Sequence, residues 1–170
     1  MLVGFMGAGK TTVGRLAARA LNAAFIDSDA VIEARAKKTI SEIFAQDGEA
    51  AFRALEQQTL RELSLEPEAV IATGGGAFAD PELRELLNRR TVTAYLRAPF
   101  EVLWERIAGD PDRPLLRGEG AKERVRALLE SRIPGYEQAK IAVDATGPVA
   151  SVVEELLCKY HECLQRAGRG

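Results

Sequence analysis

Short apolar runs alternate along the chain with stretches of helical periodicity, the order that a parallel sheet flanked by helices requires. Strand-length runs fall at Leu2–Phe5, Ala24–Asp27, Val70–Thr73, Thr91–Leu96 and Ile141–Asp144. Helical spacing predicts helices near Lys10–Asn22, Asp29–Lys37, Ser41–Gln46, Glu49–Leu65, Pro81–Asn88, Pro99–Ile107, Ala121–Ser131 and Val149–Arg166. In the first of these, Leu16, Ala20 and Leu21 read as the buried face. Ser41, ahead of Ile43 and Phe44, reads as an N-cap. The pattern contains no internal repeat and describes an α/β fold.

One stretch breaks the alternation. Residues 109–120 carry two prolines and three glycines, a composition suited to a long loop rather than a packed element. Long loops in compact domains often serve as mobile lids, and the competing reading is a plain surface connection.

Composition narrows the class. At 170 residues the chain fits one domain, 1–170, with 46% apolar and 28% charged residues. A net charge of -2 offers no basic field for nucleic acid or an anionic membrane, so an anionic ligand needs locally placed arginines. No run approaches the length of a membrane span, and the apolar start lacks a leader pattern. Cys158 and Cys163 fall on different faces of one helix, and no other cysteine or histidine cluster completes a metal site. Reduced thiols in a cytoplasmic protein are the expectation. His161 sits in the polar tail of the same helix, where no catalytic role is expected.

The chemistry begins at Gly4-Phe5-Met6-Gly7-Ala8-Gly9-Lys10-Thr11, which matches G-x-x-x-x-G-K-[ST] without a mismatch. Glycines let the backbone wrap so that its N–H groups converge on phosphates, and the helix opening at Lys10 adds the positive end of its dipole. Lys10 reaches the outer phosphates, and the Thr11 hydroxyl is placed for Mg²⁺. A signalling GTPase would carry Asn-Lys-x-Asp, which is absent, and an ATPase motor would need more chain. A small-molecule kinase using ATP and Mg²⁺ fits best.

Four further features concern the acceptor. Asp27-Ser28-Asp29 ends a strand, and residues two apart in an extended segment face one way, toward the cleft. The competing reading is a helix N-cap followed by a first-turn acid. Arg53 and Glu56 are spaced i,i+3 on a helix, so the glutamate can steady the guanidinium. Gly74-Gly75-Gly76 presents bare backbone at a strand end. Arg132 precedes Ile133-Pro134-Gly135-Tyr136 at what reads as a proline-ended helix. Two fixed arginines can clamp a carboxylate bidentately.

These residues together resemble the shikimate kinase family. The run from Gly4 is similar to its phosphate loop, and Phe25–Asp29 with Ile32-Glu33 to its acidic motif. Ile43-Phe44, Asp47-Gly48-Glu49, Phe52-Arg53-x-x-Glu56, Gly74–Gly76, Arg113-Pro114-Leu115-Leu116 and Arg132-x-Pro-x-Tyr136 continue the likeness in order. The resemblance spans about Leu2 to Leu157.

It implies a nucleoside-monophosphate-kinase-like three-layer α/β/α fold, with five parallel strands in the order 2-3-1-4-5 and a lid at about 109–120. It implies transfer of the γ-phosphoryl group of ATP to the 3-hydroxyl of shikimate, in aromatic amino acid biosynthesis, by a cytoplasmic monomer. Carried over by position, Gly7, Ala8, Gly9, Lys10, Thr11 and Thr12 hold the nucleotide, with Arg106 and Pro148 beside the adenine. Asp29, Arg53, Gly75, Gly76 and Arg132 hold shikimate, within a helical region of about 29–60 and its surroundings. Thr11 and, through water, Asp27 hold Mg²⁺, while Arg113 closes with the lid on the phosphates. Lys10, Asp29 and Arg113 are the catalytic candidates.

Departures are the short first strand, Gly135 in place of a bulkier apolar residue, and a tail after Leu157 without a counterpart. A gluconate kinase on the same fold and a nucleotide-binding module without turnover are the rival readings.

Overall fold

The structure is a computed structural model that describes residues 1–110, 114–116 and 118–168. Five strands form one parallel sheet: β1 (Leu2–Val3), β2 (Ala24–Asp27), β3 (Ala69–Ala72), β4 (Ala94–Arg97) and β5 (Ile141–Asp144). Their order is β2-β3-β1-β4-β5, as expected. Eight helices are described: α1 (Lys10–Ala20), α2 (Ser28–Ala36), α3 (Ile40–Gln46), α4 (Gly48–Leu63), α5 (Pro81–Arg90), α6 (Phe100–Ile107), α7 (Ala121–Tyr136) and α8 (Val149–Ala167).

β1 is only two residues long, yet it is the centre of the sheet. Leu2 registers with Ala72 on one side and Ala94 on the other, and Val3 with Tyr95. Both residues are buried, as a strand covered on both faces must be. The apolar run continues into Phe5, which is buried in the loop. β4 starts at Ala94 rather than Thr91, because the threonines before it close neighbouring elements. The Thr91 hydroxyl donates to Leu87 O, and Thr93 Oγ1 both donates to Asn88 and accepts from Lys140 N.

α1 buries Val13, Gly14, Ala17 and Ala18, not the face marked by Leu16 and Ala20. Close approach decides the orientation. A Cβ on Gly14 would stand 2.6 Å from the Phe25 ring, so small residues face the sheet and Leu16 turns outward, 38% exposed. α3 is capped by Thr39 rather than Ser41. Thr39 Oγ1 accepts the Glu42 N–H at 3.2 Å while Glu42 accepts the Thr39 N–H at 2.7 Å, a reciprocal box.

α7 runs on through Pro134, where a helix end was expected. The proline sits near the last turn, so few backbone bonds remain to be lost beyond it. Gly135 follows, and its bare α-carbon lets α7 press on the next segment: a Cβ there would lie 2.7 Å from Phe78 O.

The main core lies against the sheet and includes Phe5, Phe78, Leu87, Leu96, Leu103 and Tyr136. Ile32, Ile43 and Phe52 form a second, smaller core between α2, α3 and α4. That separate cluster makes α2, α3 and α4 a unit of their own. Within the segment expected as a lid, Pro114–Leu116 form one 3₁₀ turn. Leu116 packs on the main core while Leu115 stays exposed.

Candidate active site

The loop between β1 and α1 is shaped by its glycines. Gly7 and Gly9 adopt φ of 79° and 88°, which side chains resist. A Cβ on Gly7 would also meet Ile107 Cγ2 at 2.8 Å. Gly9 caps α1 in the left-handed region, so the first-turn N–H groups of Lys10, Thr11 and Thr12 open toward the cleft. Lys10 Nζ donates to Gly4 O at 2.8 Å and Phe5 O at 3.0 Å, which folds the side chain back across its own loop. Ala8 is buried beneath the loop, its N–H donated to Phe5 O.

Asp27 ends β2 and turns the chain into α2. Its Oδ1 accepts the Asp29 N–H at 3.1 Å, and its Oδ2 accepts from the Thr11 hydroxyl at 3.0 Å. Both sequence readings of this segment therefore hold at once: Asp27 is an N-cap, and Asp27 and Asp29 still line one cleft. Asp29 is a first-turn helical residue, not part of an extended pair. Burial first, then the charges of Asp27 and Glu56, push its carboxyl up to about 6, against the pull of Lys10. Its Oδ1 is buried without a hydrogen-bond partner.

The Gly74–Gly76 turn closes the floor. The Gly74 N–H donates to Ser28 Oγ at 3.2 Å. A Cβ on Gly74 would stand 2.6 Å from Glu56 Oε1 and 2.9 Å from Asp29 Oδ1, so only glycine fits between the two carboxylates. On Gly76 it would stand 2.2 Å from Arg53 Nη1. Arg53 donates to Glu56 at 2.6 Å and, more loosely, to Glu49 at 3.2 Å. Arg132, on α7, donates to Gly75 O at 2.8 Å. Two guanidinium groups thus flank one glycine turn.

Arg106 bridges the donor side, reaching Gly7 O at 3.3 Å and Ala145 O at 2.8 Å. Pro148 is exposed a few residues beyond Ala145, at the N-cap of α8. Lys10, Thr11, Thr12, Asp27, Asp29 and Gly75 line a common cleft of about 370 Å³. Size does not single it out, since cavities of about 360 and 470 Å³ lie elsewhere. Its chemistry does: a phosphate-type loop, two carboxylates and a glycine turn meet there. No cluster of three or more His, Cys, Asp or Glu that could hold a metal occurs among the described residues. Arg113 lies outside the described residues. Among them, no helix is long and apolar enough to cross a membrane.

A family model described as Shikimate kinase matches residues 6–161. The chain belongs to the shikimate kinase family. A shikimate kinase of Cereibacter sphaeroides is 44% identical over 164 residues, covering 96% of this chain and 81% of the relative. The structure is similar to a shikimate kinase from Acinetobacter baumannii in complex with shikimate, with a TM-score of 0.87 and 40% identity over 92% of this chain and 88% of that one. A gluconokinase from Sinorhizobium meliloti shares the fold at 20% identity and a TM-score of 0.61, over 98% of this chain and 93% of its own. Family membership makes the chain an ATP-using small-molecule kinase.

Sequence reasoning passed over two groups. Ser28, between the aspartates, ties α2 to the glycine turn. The Tyr136 hydroxyl donates to Gly75 O. The i,i+4 spacing of Arg132 and Tyr136 was the available signal for a shared face, hidden by the assumption that Pro134 ended the helix.

Proposed function

We propose that this chain, as a single kinase domain over residues 1–170, transfers the γ-phosphoryl group of ATP to the 3-hydroxyl of shikimate. It acts as a cytoplasmic monomer, with residues about 109–120 as its lid and the helical region of about 29–60 gripping the acceptor. The observation that carries the reading is the position of Asp29. Asp29 lines the cleft together with the phosphate loop, while its unpartnered Oδ1 is buried against Gly74.

The donor side fits a magnesium nucleotide. Thr11 and Asp27 bring a hydroxyl and a carboxylate within 3.0 Å of each other, the hard oxygen donors that Mg²⁺ takes while keeping phosphate and water ligands. Bound there, Mg²⁺ neutralises charge on the phosphate oxygens. Gly7, Ala8, Gly9, Lys10, Thr11 and Thr12 cradle the phosphates, and Lys10 leaves its carbonyl partners to meet them. Arg106 and Pro148 flank the adenine.

On the acceptor side Arg53 and Arg132, with Gly75 and Gly76, hold the carboxylate of shikimate and fix the ring. Asp29 then receives the hydroxyl that attacks. As the new O–P bond forms and the bond to ADP breaks, the hydroxyl proton passes to Asp29. Phosphoryl transfer needs alignment and charge neutralisation more than covalent help, and each of these groups supplies one or the other. Arg113 closes with the lid and completes the charge on the phosphates, excluding water that would waste ATP.

ADP release measured with and without shikimate, beside Asp29→Asn, tests the reading. Shikimate-dependent release that the variant loses supports it. Release that gluconate elicits and shikimate does not, or ATP binding without turnover on either, overturns it.

A further inference from the structure

We propose that Tyr136 is a positioning residue of the acceptor site, holding the Gly75–Gly76 peptide so that its N–H is presented beside Arg53 to the acceptor's carboxylate. This rests on the shikimate kinase reading above. The Tyr136 hydroxyl donates to Gly75 O, and Arg132 Nη1 donates to the same oxygen at 2.8 Å. Residues 132 and 136 lie four apart on α7, so one helix face delivers both donors. A carbonyl already paired with a guanidinium needs no second donor for satisfaction alone. Two donors on its two lone pairs do something more: they fix the direction in which the carbonyl points.

The peptide plane makes that direction matter. In a trans peptide the C=O and the following N–H point opposite ways, so pinning Gly75 O on the α7 side turns the Gly76 N–H away from α7. The N–H groups of Gly75 and Gly76 have no partner among the described residues. Gly76 packs on Arg53, and Gly75 lies nearest Arg132. The free donor is therefore turned from α7, on the glycine that Arg53 touches. Glycine would otherwise let this peptide flip at little cost, which is why an external anchor is needed.

Tyr136 is built to stay fixed. It is 1% exposed, and its ring stacks on Tyr95 with centroids 5.1 Å apart. Burial pushes its phenol up to about 12, so it remains a protonated donor at any working pH. The Tyr95 hydroxyl, by contrast, has no hydrogen-bond partner among the described residues. That supplies an internal control in which the same stack loses an oxygen that makes no hydrogen bond among the described residues.

The test is Tyr136→Phe in the full chain, which keeps the ring and the stack and removes one oxygen. Steady-state kinetics with shikimate and ATP, ATP affinity and Tm are measured beside Tyr95→Phe. The expected result is a rise of about five- to tenfold in KM for shikimate, with kcat within about twofold and ATP affinity unchanged. Tyr95→Phe should leave all of these as in the parent chain. An unchanged KM for shikimate overturns the inference, and so does a joint loss of kcat, ATP affinity and Tm, which would mark Tyr136 as core packing only. A parent chain that does not phosphorylate shikimate overturns the underlying reading instead, and the inference with it.

Discussion

Glu56 holds Arg53 with one carboxylate oxygen and leaves the other, buried and unpartnered, across Gly74 from Asp29. One side chain thus serves both ends of the proposed acceptor site, steadying Arg53, the proposed carboxylate clamp, and adding negative charge beside Asp29, the proposed partner of the hydroxyl. Glu56→Gln keeps the shape and removes the charge. Arg53 then keeps a neutral hydrogen bond to the amide oxygen at most, beside the looser bonds to Glu49 at 3.2 and 3.3 Å. A charged hydrogen bond is worth about 1.5–3 kcal/mol, so KM for shikimate should rise about tenfold or more, with a smaller change in kcat. Acceptor kinetics at fixed saturating ATP check this, and an unchanged KM would detach Glu56 from the clamp.

Asp29 should work against the stability of the empty enzyme. Its carboxyl loses its proton near 3.8 in an unfolded chain but near 6 in the fold, because of burial, Asp27 and Glu56. Between those values the folded state holds more protons, so the stability from this group is full below about pH 4 and falls as pH rises through 6. Asp29→Asn removes that loss while ending phosphoryl transfer. At pH 7.5 without nucleotide the variant should be more stable by about 1–3 kcal/mol, several degrees in Tm. The gain should vanish near pH 4. A Tm difference independent of pH would show that ionisation of Asp29 is not its cause.

Much of this was legible in the sequence, and the failures share a physical reason. The α/β alternation and the phosphate loop follow from residue type and spacing, and the strand order from the family resemblance. Asp27 and Asp29 line one cleft, with Arg53 and Arg132 at the glycine turn beside it. What spacing cannot show is how closely backbones approach. Leu16 looked buried because it is large and apolar, yet α1 turns its small residues to the sheet, where Gly14 meets Phe25. Pro134 looked like a helix end because it lacks an N–H, yet α7 runs past it to Tyr136. Thr39 took the cap expected of Ser41 because Glu42 could answer it three residues on.

Asp27 combines two duties that one substitution separates. Its Oδ1 caps α2, and its Oδ2 meets Thr11. Asparagine caps as well as aspartate but carries no charge for a cation. Asp27→Asn should therefore leave Tm almost unchanged while raising the Mg²⁺ concentration for half-maximal activity about tenfold or more. A magnesium titration at constant ATP reads the effect, and an unchanged requirement would remove Asp27 from the metal site.

Arg113 is expected to act through charge on the transferring group rather than through binding. Arg113→Ala should lower kcat on the order of 10³ or more, as loss of an arginine finger does. KM for shikimate should change far less. A near-normal kcat would take Arg113 out of the mechanism.

Gly135 stands where the family resemblance leads one to expect a bulkier residue, and the fold supplies the reason. A Cβ there would lie 2.7 Å from Phe78 O and 3.4 Å from Arg84 Nη1, while Arg84 itself donates to Phe78 O at 2.9 Å. The Phe78 carbonyl, with Arg84 beside it, occupies the space a larger side chain would fill. Gly135→Ala should cost about 1–3 kcal/mol, the usual range for overpacking, and lower Tm by several degrees. Because the same turn of α7 carries Arg132 and Tyr136, KM for shikimate should rise with it. The severe contact is with backbone, so clearing the side chain in Arg84→Ala should not rescue the alanine. A double variant that recovered the parent Tm would show that Arg84, not the Phe78 carbonyl, sets the limit at this position.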